Sequence, residues 1–181
     1  VGSEMCIRDS ESTVGKGSTF TVVIPFPVIS KEELTQQREQ PADPAAGLAG
    51  KHLLLAEDNE LNAEIAVTLL EEQGAKITAV TNGKEALETI QNAAPRTYNA
   101  ILMDVMMPEM NGLEATRCIR AFEGKGPDEG TPIIAMTANV FADDVKACLD
   151  AGMNSHVGKP LDMKILIAEI LKYTNRTRSI C

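Results

Sequence analysis

Five side chains in this sequence stand where chemistry could be done. Glu57 and Asp58 close the apolar run of "HLLLAED", and Asp104 closes that of "YNAILMD". Thr137 ends "TPIIAMT", and Lys159 follows "SHV" in "HVGKP". Polar groups of this kind are rarely left at the end of a buried segment without a partner or a task. Brought together, three carboxylates would repel and could not all ionise unaided. A hard cation relieves that repulsion. Mg²⁺ fits, because it takes oxygen ligands from few carboxylates, keeps waters and leaves room for a phosphoryl oxygen. Lys159 would add a mobile positive charge and Thr137 a hydroxyl donor. A carboxylate nucleophile facing a metal, an ammonium and a hydroxyl is an acceptor for phosphoryl transfer, the positive groups offsetting charge on the transferred group.

The five can meet only if the chain delivers them to one edge, and the surrounding pattern does so. From Lys51 onward short apolar runs alternate with amphipathic stretches. "HLLLA", "AKITAV", "YNAILMD", "TPIIAMT" and "SHV" read as strands. "LNAEIAVTLLEEQG", "GKEALETIQNA", "GLEATRCIRAF", "FADDVKACLDAG" and "DMKILIAEILKYT" read as helices. In the first helix Leu61, Ile65 and Leu69 share a face, expected to be its core stripe, with Gly74 as the stop. Asp162 is placed to cap the last helix, with Leu161 and Leu166 spaced for a hydrophobic staple. Strict alternation predicts an α/β fold whose parallel sheet is covered on both faces. Right-handed crossovers constrain the winding, and five units favour an open doubly wound sheet over a closed barrel. Ligand sites in such sheets lie at the carboxyl ends of the strands, beside the point where strand order reverses. All five candidate side chains fall on that edge.

Composition narrows the function classes. The chain has 181 residues, 44% of them apolar, enough for one ordinary domain plus tails. Aromatics make up 3% and tryptophan is absent, so the core must be built from Leu, Ile, Val, Ala and Met. A net charge of −9 supplies no basic field for a nucleic-acid backbone. No apolar run approaches the length of a membrane span, and no secretory signal is visible. Cys6, Cys118, Cys148 and Cys181 form no C-x-x-C pair, so neither a zinc site nor a redox pair is indicated. They are expected to be reduced, small apolar residues of a cytoplasmic protein.

The N-terminal 50 residues have a different texture. "VGSEMCIRDS" resembles the read-through translation of a sequencing-library adapter, so residues 1–10 are set aside as a scar, and the natural protein is expected to extend further upstream. "GKGSTFTVVIPFPV" reads as a strand after a Gly-rich turn. It is not a phosphate loop, because Gly17 follows Lys16 where Ser or Thr would be needed. It is expected to be an orphan strand, without a sheet that could bury a core. Residues 31–50 are polar, then rich in Pro, Ala and Gly, and read as a linker, with which a short helix over Lys31–Glu39 is compatible.

"LAEDN", "ILMDVMMPEMNG", "IIAMTAN" and "HVGKP", in that order, resemble the response-regulator receiver domain over about residues 51–173, leaving 174–181 as a tail. The stretch over residues 11–30 resembles the last glycine motif and final strand of the ATP-binding domain of sensor histidine kinases, without the nucleotide-contacting motifs that should precede it. The receiver resemblance implies a flavodoxin-like five-stranded sheet of order 2-1-3-4-5 and phosphorylation of Asp104 from a phosphohistidine. It implies Mg²⁺ held by Asp58, Asp104 and the backbone carbonyl of Met106, with Glu57 acting partly through water. It further implies that Thr137 and the backbone of Ala138 bind the phosphoryl group, that Lys159 pairs with it, and that the Lys159–Pro160 bond is cis. His156 stands where many receivers carry Tyr or Phe. It reads either as a switch coupled to Thr137 or as a ring filling a strand end. Met106 and Met107 either shield the acyl phosphate or simply pack. "EGKGPDEG", between Phe122 and Thr131, reads as a solvated loop.

Together the two resemblances describe the C-terminal part of a hybrid sensor histidine kinase. The partners implied are a histidine kinase phosphodonor domain and a histidine phosphotransfer protein, with no nucleic acid and no direct membrane contact. His52 and His156 are the only histidines, and neither sits on a helix face as a phosphodonor would. Other chemistries fit less well. An aspartate-nucleophile phosphohydrolase needs D-x-D, and Met106 occupies the second Asp position. A flavodoxin-like flavin binder needs a Gly- and hydroxyl-rich loop where Glu57 and Asp58 stand. A degenerate receiver that acts as a docking module without phosphorylation remains compatible with the sequence.

Overall fold

Short β-rich runs bounded by capped helices dictate how the chain packs. The computed structural model describes residues 7–13, 15, 17–23, 47–138 and 141–175. The chain divides into two compact units, Val1–Pro41 and Ala42–Cys181.

In the first unit, β1 (Ile7–Thr13) pairs antiparallel with β2 (Gly17–Val23), from Ile7 opposite Val23 to Thr13 opposite Gly17. The strand expected to stand alone therefore has a neighbour, drawn partly from the residues set aside as a scar. Gly15, at φ 79°, supplies the left-handed residue that a three-residue hairpin loop requires. Residues 24–28 of the expected strand, and the short linker helix, lie outside the described residues.

The second unit holds the predicted sheet. Its strands are β3 (His52–Ala56), β4 (Lys76–Val80), β5 (Ala100–Asp104), β6 (Ile133–Thr137) and β7 (Ser155–Gly158). All pair in parallel, in the spatial order β4-β3-β5-β6-β7. Numbered within this unit, that is 2-1-3-4-5, the flavodoxin-like order expected. The helices are α1 (Glu60–Glu72), α2 (Gly83–Asn92), α3 (Gly112–Glu123), α4 (Ala142–Asp150) and α5 (Met163–Thr174). Alternate strand residues feed two cores. Leu53, Leu55, Leu102, Ile134 and Met136 meet α1 and α5 on one face. Leu54, Ile101, Met103, Ile133 and Ala135 meet α2, α3 and α4 on the other. Every residue of β5 and β6 is buried, as a sheet covered on both faces requires.

Side-chain caps set where four of the five helices of this unit start, α4 having none. Asn59, Asn82 and Asn111 each accept the backbone N–H three residues on, and Asn111 forms a full capping box with Glu114. Asp162 caps α5 as predicted, accepting from the N–H groups of Lys164 and Ile165, and Leu161 packs into the core that contains Leu166.

One local reading changes and another gains detail. The unit starts before residue 51: Leu48, assigned to the linker, is fully buried in the first core. The loop after Phe122 is exposed at Gly124–Glu129 but tied at both ends. Arg120 donates to Glu123, to the carbonyls of Thr131 and Gly152, and to Asn154 Oδ1. Asn154 Nδ2 in turn donates to the Pro127 carbonyl at 2.6 Å.

Candidate functional site

The carboxyl edge of the sheet gathers the predicted side chains. Glu57 directly follows β3, its N–H held by the Val80 carbonyl at 3.1 Å. Asp104 and Thr137 are the last residues of β5 and β6, and Lys159 follows β7. Asp104 sits opposite Met136 and Thr137 opposite Gly158, so parallel register alone brings the strand ends level. The Lys159 N–H donates to the Thr137 carbonyl at 2.7 Å, which ties the lysine segment to the strand that carries the hydroxyl. The Lys159–Pro160 bond is cis, as the resemblance implied.

Glu57, Asp58 and Asp104 each offer an oxygen within 4.8 Å of the others. Glu57 and Asp104 are buried and Asp58 is exposed. Lys159 Nζ lies between the two buried carboxylates, 2.6 Å from Glu57 Oε2 and 2.6 Å from Asp104 Oδ2. The Met106 N–H donates to Asp104 Oδ1 at 3.1 Å. Burial pushes the Asp104 carboxyl above the ordinary carboxylate range, and the Glu57 charge adds to this, against the pull of Lys159 and the Met106 N–H. Burial draws Lys159 down, but its bonds to Asp104 and Glu57 outweigh that and hold it above the usual lysine value. The cluster is short of positive charge: one ammonium serves two buried carboxylates, with a third exposed beside them. An oxygen donor set with a charge deficit fits a hard divalent cation. A cleft of about 350 Å³, lined by Glu57, Asp58, Glu60, Ala63, Ala79, Val80 and Thr81, opens beside the pair.

The loop after Asp104 is shaped by its surroundings. Gly112, the first residue of α3, has no room for a Cβ, which would fall into the Asp104 carbonyl. The start of α3 therefore rests directly on the backbone of Asp104, and the Gly112 N–H donates to the Val105 carbonyl. Gly83, opening α2, approaches just as closely: a Cβ there would lie 2.5 Å from the Met110 carbonyl, to which its N–H donates. Of the two methionines, Met107 is a core residue, whereas Met106 is 76% exposed. His156 lies inside β7 opposite Ala135 and is half-buried. Ala138 is exposed directly after Thr137.

One expectation is overturned beside this site. Leu61 and Ile65 are 64% and 51% exposed, and the buried stripe of α1 is Ala66 and Leu70, flanked by Ala63 and Val67. One contact is absent from the sequence reading altogether. Asn62, in the first turn of α1, donates from Nδ2 to Glu57 Oε1 at 2.9 Å. A polar residue at the start of a helix is ordinary in sequence, so only the fold reveals it.

Comparison with known proteins agrees with this geometry. The model of the response regulator receiver domain matches residues 53–171. Probable histidine kinase 4 of Oryza sativa subsp. japonica is 37% identical over 143 residues, covering 70% of this chain and 14% of the relative. Sensor protein GacS of Pseudomonas syringae pv. syringae is 35% identical over 144 residues, covering 78% of this chain and 16% of the relative. The chain thus spans less than a fifth of the length of these relatives. Among solved structures, it resembles the receiver domain of a Pseudomonas aeruginosa sensor histidine kinase with a magnesium ion coordinated in its active site cleft. There the TM-score is 0.61 at 35% identity, over 70% of this chain and 99% of that one. It also resembles the receiver domain of the Saccharomyces cerevisiae response regulator Ssk1, co-crystallised with the histidine phosphotransfer protein Ypd1. There the TM-score is 0.65 at 26% identity, over 72% of this chain and 92% of that one.

Proposed function

The chain belongs to the response regulator receiver domain family, and from that premise we propose that Asp104 accepts a phosphoryl group from a phosphohistidine and passes it to a histidine phosphotransfer protein. The observation that carries this is the buried Asp104 carboxylate, held by Lys159 within 4.8 Å of Glu57 and Asp58. An oxygen of Asp104 attacks phosphorus; the P–O bond forms as the P–N bond breaks, and the imidazole nitrogen leaves with the electron pair. Asp58, Asp104 and the Met106 carbonyl would hold Mg²⁺, with Glu57 beside it, and the cation would supply positive charge to offset that on the phosphoryl oxygens. Lys159 moves its ammonium from carboxylate to phosphoryl oxygen, and the Thr137 hydroxyl and Ala138 N–H donate to the others. The Thr137 segment shifting toward the new group is the switch, which His156 on the adjacent strand is placed to sense.

The phosphotransfer partner docks on the outer face of α1, where Leu61 and Ile65 stand exposed beside Asp58. The likeness to a receiver co-crystallised with a histidine phosphotransfer protein supports that class of partner. The similarity to histidine kinases supports an origin in a hybrid sensor kinase, and we propose that the receiver works in the cytoplasm. Among the described residues no helix is long and apolar enough to cross a membrane.

Intact-mass spectrometry after incubation with acetyl phosphate tests the reading. The expected result is a Mg²⁺-dependent gain of one phosphoryl group, lost in Asp104→Asn. No gain in the wild type, with Mg²⁺ shown to bind, would leave a docking module and end the acceptor assignment.

A further inference from the structure

We propose that Asn62 is a positioning residue that holds the Glu57 carboxylate in the cation cluster independently of Lys159. The inference rests on reading Glu57, Asp58 and Asp104 as the Mg²⁺ cluster. The two oxygens of Glu57 are served separately: Lys159 Nζ donates to Oε2 at 2.6 Å and Asn62 Nδ2 to Oε1 at 2.9 Å. A carboxylate only accepts, so Asn62 must present its NH₂ face to it. Its backbone is fixed by the cap, since the Asn62 N–H donates to Asn59 Oδ1 at 3.0 Å. Side chains in the first helical turn lean back toward the N-terminus, which aims Asn62 at the residue that closes β3.

The choice of residue matters. A lysine or arginine here would satisfy Glu57 but compete with a cation for the same three carboxylates. The amide donates without carrying charge, so it orients the carboxylate and leaves the deficit in place. Lys159 cannot do this alone, because the transfer chemistry requires it to turn toward the phosphoryl group. Asn62 is then the donor that stays on Glu57.

Outer partners of a metal-binding carboxylate set affinity by roughly ten- to a hundredfold. Asn62 is exposed and solvent competes for its bond, which places the effect at the lower end. The test is isothermal titration of Mg²⁺ into the full 181-residue chain as wild type, Asn62→Leu and Asn62→Gln, with metal-free thermal unfolding of each. Asn62→Leu keeps the shape and removes the donor. Its Mg²⁺ Kd is expected to rise about tenfold, with a melting temperature near the wild-type value, and Asn62→Gln to recover most of the affinity. A wild-type Kd in Asn62→Leu, or a Gln variant as weak as the Leu variant, overturns the proposal. A wild type that binds no Mg²⁺ overturns the cluster reading and this inference with it, whereas normal wild-type binding with no effect of Asn62→Leu overturns the inference alone.

Discussion

Gly112→Ala probes the contact between the start of α3 and the Asp104 backbone. The added Cβ would fall into the Asp104 carbonyl oxygen and come within 3.0 Å of both the Asp104 carbonyl carbon and Met103 Cγ. A carbon–oxygen pair needs a little over 3 Å, so α3 and β5 must part by about 1 Å, and the obstacle is backbone that no rotamer change can clear. Overpacking of this kind costs about 1–3 kcal/mol, here at the upper end, and the better helix propensity of alanine returns less than about 1 kcal/mol. A net loss of about 2–3 kcal/mol corresponds to a fall in melting temperature of roughly 5–10 °C for a domain of this size. Because the displaced backbone is that of Asp104, the variant should also take up phosphoryl groups from acetyl phosphate at least tenfold more slowly under conditions where it is still folded, as expected for misplacement by about 1 Å. Gly126→Ala is the control: nothing lies within 4 Å of its Cβ, and neither measurement should move. Thermal unfolding followed by far-UV circular dichroism and a phosphorylation time course read both effects. A Gly112→Ala protein that melts within about 1 °C of wild type and phosphorylates at the wild-type rate would refute the packing argument.

Other outcomes follow from the same geometry. The Asp104 pKa is raised on folding, so its contribution to stability is full below the unfolded value of about 3.9 and is lost as pH rises through the folded value. Without Mg²⁺, Asp104→Asn should therefore melt above wild type at neutral pH by roughly 2–4 °C, a gain that disappears when the melts are repeated in acid. Arg120, 9% exposed in its side chain, ties α3, the following loop and the turn before β7; Arg120→Ala should cost about 3 kcal/mol in urea unfolding by taking the guanidinium donor from the half-buried Thr131 and Gly152 carbonyls and leaving a void at its stem. Leu61→Asp with Ile65→Asp should leave the melting temperature and acetyl phosphate labelling nearly unchanged. The same double variant should slow transfer to a histidine phosphotransfer protein at least tenfold, which a stopped-flow or gel transfer assay would read.

The strand–helix alternation was legible from Lys51 onward because each element carries its own period and its own stop signals. The capping role of Asp162 was legible because capping is a contact between near neighbours. Glu57, Asp58, Asp104, Thr137 and Lys159 were legible as one group because each ends or follows an apolar run, and a parallel sheet sends all such ends to one edge. What the sequence by itself determined is therefore periodic or local. The rest depends on three-dimensional phase. The first helix offered two apolar stripes, and composition alone favoured Leu61, Ile65 and Leu69. Packing in the core with Leu53 and Leu55 selected the stripe of Ala66 and Leu70, in which Ala63 and Ala66 let the helix approach the sheet while Leu70 fills the space beyond, and Leu61 and Ile65 were turned outward. The pairing of Ile7–Thr13 with Gly17–Val23 needed a partner strand whose sequence carries no clear alternation. The bonds from Asn62 and from Lys159 to the two oxygens of Glu57 join residues 5 and 102 positions away, and only the folded chain sets those distances.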